Sequence, residues 1–173
     1  MMRLFLVVGP SGAGKDTLLS GAVAADPQLH WARRVITRPQ AAGGEPFEGV
    51  TRTEFAARLQ RGEFALHWDA HGLRYGVPHT ELPLGRDVVV NGSRGAIAQA
   101  LAAFPALRLI HITAPIPVLA ERLDARGRES SAEITARLAR VPQALPKGIP
   151  VIEIINDDSP EAGINRLLQS LRA

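Results

Sequence analysis

The 173-residue sequence has no cysteine, a single tyrosine and only two lysines, Lys15 and Lys147. Without cysteine neither a disulfide framework nor a thiolate metal site can form, and a reducing cytoplasm suits such a chain. Aromatic residues make up 5% and the basic residues are dispersed, so the stacking platforms and basic stripe of a nucleic-acid binder are missing. No apolar run is long enough to span a membrane, and the N-terminal run Leu4 to Val8 stops at Gly9-Pro10, too short for a signal-peptide core. His30, His67 and His79 show no metal-ligand spacing, and His111 alternates within the apolar run LRLIHIT as a core or sheet-edge residue.

What is present fits one compact soluble domain: 46% hydrophobic and 21% charged residues, with a length that buries roughly 70% of the unfolded surface. The net charge is +3, carried almost wholly by arginine. The planar guanidinium suits bidentate phosphate binding, although an isolated surface arginine is commonly just solvated.

The pattern alternates strands and helices. Arg3 to Val8 reads as a buried parallel strand, followed by helical spacing at Leu18, Leu19 and Val23. Apolar runs recur at 87–91, 107–113 and 150–156, with helical patterns at 94–103, 116–126 and 160–172, which together predict a parallel sheet covered on both faces. Two segments interrupt the alternation. Residues 32–86 read as an inserted α/β subdomain, its helix at 51–62 opened by the capping box Thr51/Glu54 and followed by the strand-like FALHW and LRYGV. Residues 122–145, with a second box at Ser130/Glu133, read as a helical lid on a core of 1–31, 87–121 and 146–173.

Residues 9–17, GPSGAGKDT, carry the first chemistry. Glycines at 9, 12 and 14 let backbone N–H groups converge on phosphates, Lys15 reaches the outer phosphates, and the following helix points its positive end at the same anion. The loop Gly9, Pro10, Ser11, Gly12, Ala13, Gly14, with Lys15, Asp16 and Thr17, is therefore the expected ATP seat. A phosphate loop normally places serine or threonine after the lysine to hold magnesium; here that position is Asp16. Its carboxylate is a hard oxygen ligand suited to Mg²⁺, or else an acid set in the first turn for the helix dipole. Thr17, turned a further ~100° around the helix, is the alternative hydroxyl.

With GPSGAGK, ITRP followed by GGE, GEF with AHGLRYG, RGRESSAEITARL and INDD in place, the chain resembles the guanylate kinase superfamily over nearly its whole length. Within it, GKD, RRVITRP with GGE, WDAHGLRYG and VNGSR are most similar to the kinases that act on ribose 1,5-bisphosphate, which serve phosphonate breakdown and make phosphoribosyl diphosphate. The resemblance implies an α/β P-loop kinase with three layers, a parallel central sheet, an inserted acceptor-binding subdomain and a helical lid. It departs from guanylate kinases where guanine would be read: positions expected to be acidic correspond to Leu66, Val90 and Gly92, and Gln40 to Gly44 stands where a second arginine is expected. A guanine edge would find no carboxylate acceptor, and leaving its polar atoms unpaired discriminates strongly. The expected cleft is stripped of carboxylates and furnished with guanidinium groups.

The resemblance implies an acceptor with two phosphates and a sugar. Arg34, Arg38, Glu45, His71, Arg74, Tyr75, Asn91, Ser93 and Arg94 form the candidate set, cations clamping phosphates while amides and hydroxyls hold ribose. Arg33 and Arg34 are adjacent, and strand alternation lets only one face the ligand. His71 either touches ligand or packs as a turn histidine on Trp68. By resemblance Arg126 and Arg137 join Lys15 as catalytic cations over the transferred phosphoryl; Arg122 and Arg140 are either lid cations or helix-surface charges, and Arg128 is unassigned. Asn156 is the candidate adenine contact, with Asp157 or Asp158 as turn residues. Alternatives are a guanylate kinase or other nucleoside monophosphate kinase, and a non-catalytic guanylate-kinase-like binding module.

Overall fold

The computed structural model describes residues 2–10, 12–39, 45–83, 85–125, 133 and 145–173. The strands are β1 (Leu4–Val8), β2 (Leu29–Trp31), β3 (Arg34–Ile36), β4 (Phe47–Gly49), β5 (Phe64–Ala70), β6 (Leu73–Pro78), β7 (Asp87–Asn91), β8 (Arg108–Thr113) and β9 (Val151–Ile155). Among the described residues the helices are α1 (Lys15–Ala25), α2 (Arg52–Gln60), α3 (Ile97–Ala103), α4 (Ile116–Asp124) and α5 (Pro160–Arg172). A five-stranded sheet has the order β2-β7-β1-β8-β9, with β2–β7 and β8–β9 parallel. The alternation of strand and helix thus builds the α/β fold that the periodicity predicts. No helix among the described residues is long and apolar enough to cross a membrane.

The chain divides within β1 into two compact units, residues 1–6 with 27–108 and residues 7–26 with 109–173. In the first, a four-stranded sheet of order β4-β3-β6-β5 has β3–β4 parallel and the β3–β6 and β5–β6 pairs antiparallel. α2 starts as the capping box predicts, with Thr51 Oγ1 accepting from the Glu54 N–H at 3.1 Å. Its Phe55 stacks on Phe64 and packs with Val35 in a small core bordered by Val50 and Leu59. That covers one face of the sheet; Ile36, Leu66, Trp68 and Tyr75 are buried on the other. Arg3 grips Asp87 with Nε and Nη2 at 3.1 and 2.6 Å. These hydrogen bonds hold the Asp87 carboxyl below its ordinary pKa and raise that of the guanidinium.

In the second unit β8 is buried from Leu109 to Ile112 and β9 is the edge strand, which places His111 inside the sheet and not at its margin. α1 packs along α5, whose first turn is capped by Ser159 Oγ accepting from the Ala162 N–H at 3.2 Å.

Candidate functional site

Two clusters carry the candidate residues, one in each unit. In the second unit the strand-to-helix turn runs from β1 into α1. At Gly9 a Cβ would lie 2.0 Å from the Ile112 carbonyl oxygen, so no other residue fits the approach to β8. Gly14 is the N-cap of α1 in the left-handed region, φ 88°. A side chain there would be strained and would also meet Asn156 Nδ2 at 2.6 Å. α1 therefore has no side-chain cap from its N-cap residue, unlike α2 and α5, and its positive end faces the loop. Lys15 Nζ donates to the Gly9 carbonyl at 2.6 Å, which holds the ammonium against the loop. Asp16 and Thr17 are both exposed in the first turn of α1. Ser11 lies outside the described residues.

The loop is braced from behind by two side chains whose part in it the sequence does not reveal. Asn156, 5% exposed, donates from Nδ2 to the Ala13 carbonyl at 2.8 Å. Arg122, in the last turn of α4, donates from Nη1 to the Gly12 carbonyl at 3.1 Å and from Nη2 to the Asn156 carbonyl at 2.7 Å. A surface-charge reading of Arg122 is thereby corrected: its guanidinium joins the loop to the segment after β9. Asn156 has its amide hydrogens directed at the loop. Asp158 accepts from the Ser159 N–H at 2.7 Å, and Asp157 lies 3.6 Å from Arg166, both exposed residues of the turn into α5. Arg126, Arg128, Arg137 and Arg140, together with residues 40–44, lie outside the described residues.

In the first unit, alternation decides between the adjacent arginines. Arg33 is exposed and donates to the Phe47 carbonyl at 3.3 Å, whereas Arg34 is buried on the sheet face away from α2. There its guanidinium lies 4.9 Å from the centre of the Tyr75 ring, which stacks on Trp68 at 5.6 Å. Arg38 lies over Phe47 at 4.3 Å. Glu45 forms an ion pair with Arg34, with side chains only 5% and 10% exposed, and Asn91 Nδ2 donates to Glu45 Oε1 at 3.4 Å. Arg34, Glu45, Tyr75 and Asn91 are thus brought together. The expectation of a site stripped of carboxylates is thereby corrected: Glu45 pairs with Arg34, a buried cation.

Among the described residues, four candidates are not tied to that cluster by a hydrogen bond, ion pair or ring contact. Arg74, one residue from Tyr75 in β6, projects from the opposite face, over Phe55 at 4.9 Å and 3.2 Å from Asp69. His71 sits exposed at the tip of the β5–β6 hairpin with φ 53°, beside Gly72 with φ 73°. Two positive φ values match a type I′ turn, so the conformation there is that of a turn histidine. Arg94 opens a short 3-10 turn at the end of β7. Ser93 precedes it, its Oγ buried with no hydrogen-bond partner among the described residues.

The three positions that the resemblance sets where a base is read are closed in this chain. Leu66 and Val90 are 1% and 0% exposed, and a Cβ at Gly92 would lie 2.4 Å from Leu6 Cδ1.

No family model matches the chain. A ribose 1,5-bisphosphate phosphokinase PhnN from Ruegeria is 48% identical over 96% of this chain and 92% of its own length. A bifunctional ribose 1,5-bisphosphokinase-thymidine phosphorylase from Cupriavidus necator is 51% identical over 97% of this chain. The chain spans 29% of that protein's length and 25% of a second bifunctional relative's. Among solved structures, a guanylate kinase from Anaplasma phagocytophilum superposes with a TM-score of 0.69 at 19% identity, covering 98% of this chain and 84% of that one, a likeness of fold alone.

Proposed function

The chain belongs to the ribose 1,5-bisphosphate phosphokinase family, and from that premise we propose that it transfers the γ-phosphoryl of Mg-ATP to the 1-phosphate of ribose 1,5-bisphosphate. The products are 5-phospho-α-D-ribose 1-diphosphate and ADP. The observation that carries the reading is the buried cluster of Arg34, Glu45, Tyr75 and Asn91, together with Leu66, Val90 and Gly92 where a base-reading carboxylate would stand. Such a surface suits phosphate and sugar hydroxyls and offers the guanine edge no acceptor at those three positions.

In the transfer, an oxygen of the 1-phosphate attacks the γ-phosphorus and the bond to the β,γ-bridging oxygen breaks. The second pKa of a phosphate monoester is about 6, so the attacking oxygen is ionised at neutral pH and no general base is needed. The work of the protein is positioning and charge neutralisation. Two unit charges about 4 Å apart repel by ~4 kcal/mol at a near-surface dielectric, so cations have to intervene. Lys15 on the ATP phosphates and Arg34 and Arg38 on the acceptor fill that role, with Arg126 and Arg137 from the lid, residues 122–145. The loop from Gly9 to Gly14, including Pro10, Ser11, Gly12 and Ala13, with Lys15 and Thr17, holds the triphosphate, and Asn156 borders the adenine. Tyr75, Asn91, Ser93 and Glu45 hold the sugar, and residues 32–86 form the acceptor subdomain. Arg94 and His71 complete the proposed set, and Arg74, on the face that carries Phe55, is left out of it.

The residues fit magnesium in a particular way. In this reading the ion is held largely by phosphate oxygens and water, as Mg²⁺ commonly is in phosphoryl-transfer sites. Asp16, exposed in the first turn of α1, offers one carboxylate to that shell. When bound, the ion neutralises charge on the transferring phosphoryl group. The absence of cysteine fits a cytoplasmic enzyme acting on a small molecule.

The test supplies Mg-ATP with ribose 1,5-bisphosphate, GMP or gluconate in parallel and follows ADP formation. Turnover with the bisphosphate is expected; rapid turnover with GMP alone would overturn the reading.

A further inference from the structure

Glu45 is unusual among the buried groups. Oε1 is engaged by both Arg34 and Asn91 Nδ2, whereas Oε2 is buried with no hydrogen-bond partner among the described residues. A buried carboxylate oxygen without a donor is costly, and such an atom in a native protein calls for a specific reason. A second oxygen in the same condition, Ser93 Oγ, lies two residues beyond Asn91, on a residue whose own backbone is extended, φ −134° and ψ 164°. An acceptor-only carboxylate oxygen cannot be satisfied by a phosphate, which brings acceptors of its own. It requires a donor, and the donors on a phosphorylated sugar are its hydroxyls.

We propose that Glu45 is the residue that selects the sugar: Oε2 accepts a hydrogen bond from a ring hydroxyl of the acceptor, and Ser93 Oγ supports the same hydroxyl face. This rests on the reading of the acceptor as ribose 1,5-bisphosphate and adds which group distinguishes it from a deoxy sugar. The Arg34 pair then has a second purpose, since it fixes Oε1 so that Oε2 is aimed. Asn91 sets the rotation of the same carboxylate. A site built to accept from a hydroxyl rejects the analogue lacking it far more strongly than an apolar pocket rejects a change in size.

The experiment compares kcat/KM for ribose 1,5-bisphosphate and its 2-deoxy and 3-deoxy analogues in the wild type, Glu45→Gln and Ser93→Ala. In the wild type one deoxy analogue is expected to be poorer by about 100-fold or more. In Glu45→Gln activity on the parent sugar falls, and the penalty for that same analogue shrinks to about tenfold or less, because a charge-assisted bond has become a neutral one. Ser93→Ala narrows the penalty less, and tests the site independently if Glu45→Gln does not fold. A purely structural Glu45 would lower all three substrates together and leave their ratio unmoved; that result overturns the proposal, as does a wild type that accepts both deoxy analogues equally well. A wild type that does not phosphorylate ribose 1,5-bisphosphate at all would instead overturn the reading on which the proposal rests.

Discussion

Replacing Arg122 by alanine removes two hydrogen bonds that hold the phosphate loop from behind, at 3.1 Å to the Gly12 carbonyl and 2.7 Å to the Asn156 carbonyl. Hydrogen bonds involving a charged group contribute about 1.5–3 kcal/mol each, so the ceiling for the pair is roughly 3–6 kcal/mol. Both bonds are only partly buried, and water can rehydrate the two carbonyls once the guanidinium is gone. About 2–3 kcal/mol is the reasonable net cost, or roughly 30- to 150-fold in an equilibrium constant. Because α4 also carries Leu119 and Leu123 against Gly12, the loop does not collapse; it loses its fixed position, and the nucleotide has to restore it. The expected result is a loss of ADP affinity of up to about 100-fold by calorimetry, a parallel rise in the KM for ATP, and an unchanged KM for the acceptor. Arg122→Lys should recover only part of the loss, since an ammonium lacks the fork that serves two carbonyls at once. Amide exchange at Gly12 and Ala13 should quicken in the alanine variant. A folded Arg122→Ala protein that binds ADP as tightly as the wild type would refute the bracing argument.

Three further outcomes are expected. Lys15→Ala should lower kcat by about 100-fold or more in steady-state assays, as loss of a cation stabilising transition-state charge does, with little change in melting temperature. Asp16→Ala should raise the magnesium concentration needed for half-maximal rate; an unchanged magnesium dependence would leave the carboxylate with only its place in the helix's first turn. Asp87→Asn concerns stability: the Arg3 hydrogen bonds hold this carboxyl below its ordinary pKa, so its contribution is complete above the unfolded value of about 3.9 and is lost as pH falls through the folded value. The wild type should therefore melt above the variant at pH 6, with the gap closing on acidification below pH 4; a gap independent of pH would count against the assignment.

What was readable in advance follows from the range over which each signal acts. Leu4–Val8 with its glycine-rich turn, and the Thr51/Glu54 box, are local patterns fixed by spacing along the chain, and both elements form where the spacing puts them. That Arg33 and Arg34 part ways, one exposed and one buried, needed only the two-residue repeat of a strand; which of them is buried did not follow from it. The same rule applies to Arg74 and Tyr75, adjacent in β6, and it excludes a shared face; grouping both with Arg34 overlooked that limit. The brace formed by Arg122 and Asn156 was not legible, because it depends on α4 and the segment after β9 arriving behind the loop from far along the chain. Glu45 could be named from the GGE phrase, yet its pairing with Arg34 and Asn91 appears only once β3, β7 and the start of β4 have assembled.

The contact between Leu6 and Gly92 sets a limit on how this chain could change its substrate. A side chain at position 92 would meet the space that a β1 leucine already fills, so an acidic residue there needs Leu6 to shift or shorten. A smaller residue at position 6 would open that space in advance, at the cost of a less well packed strand until the second change arrives.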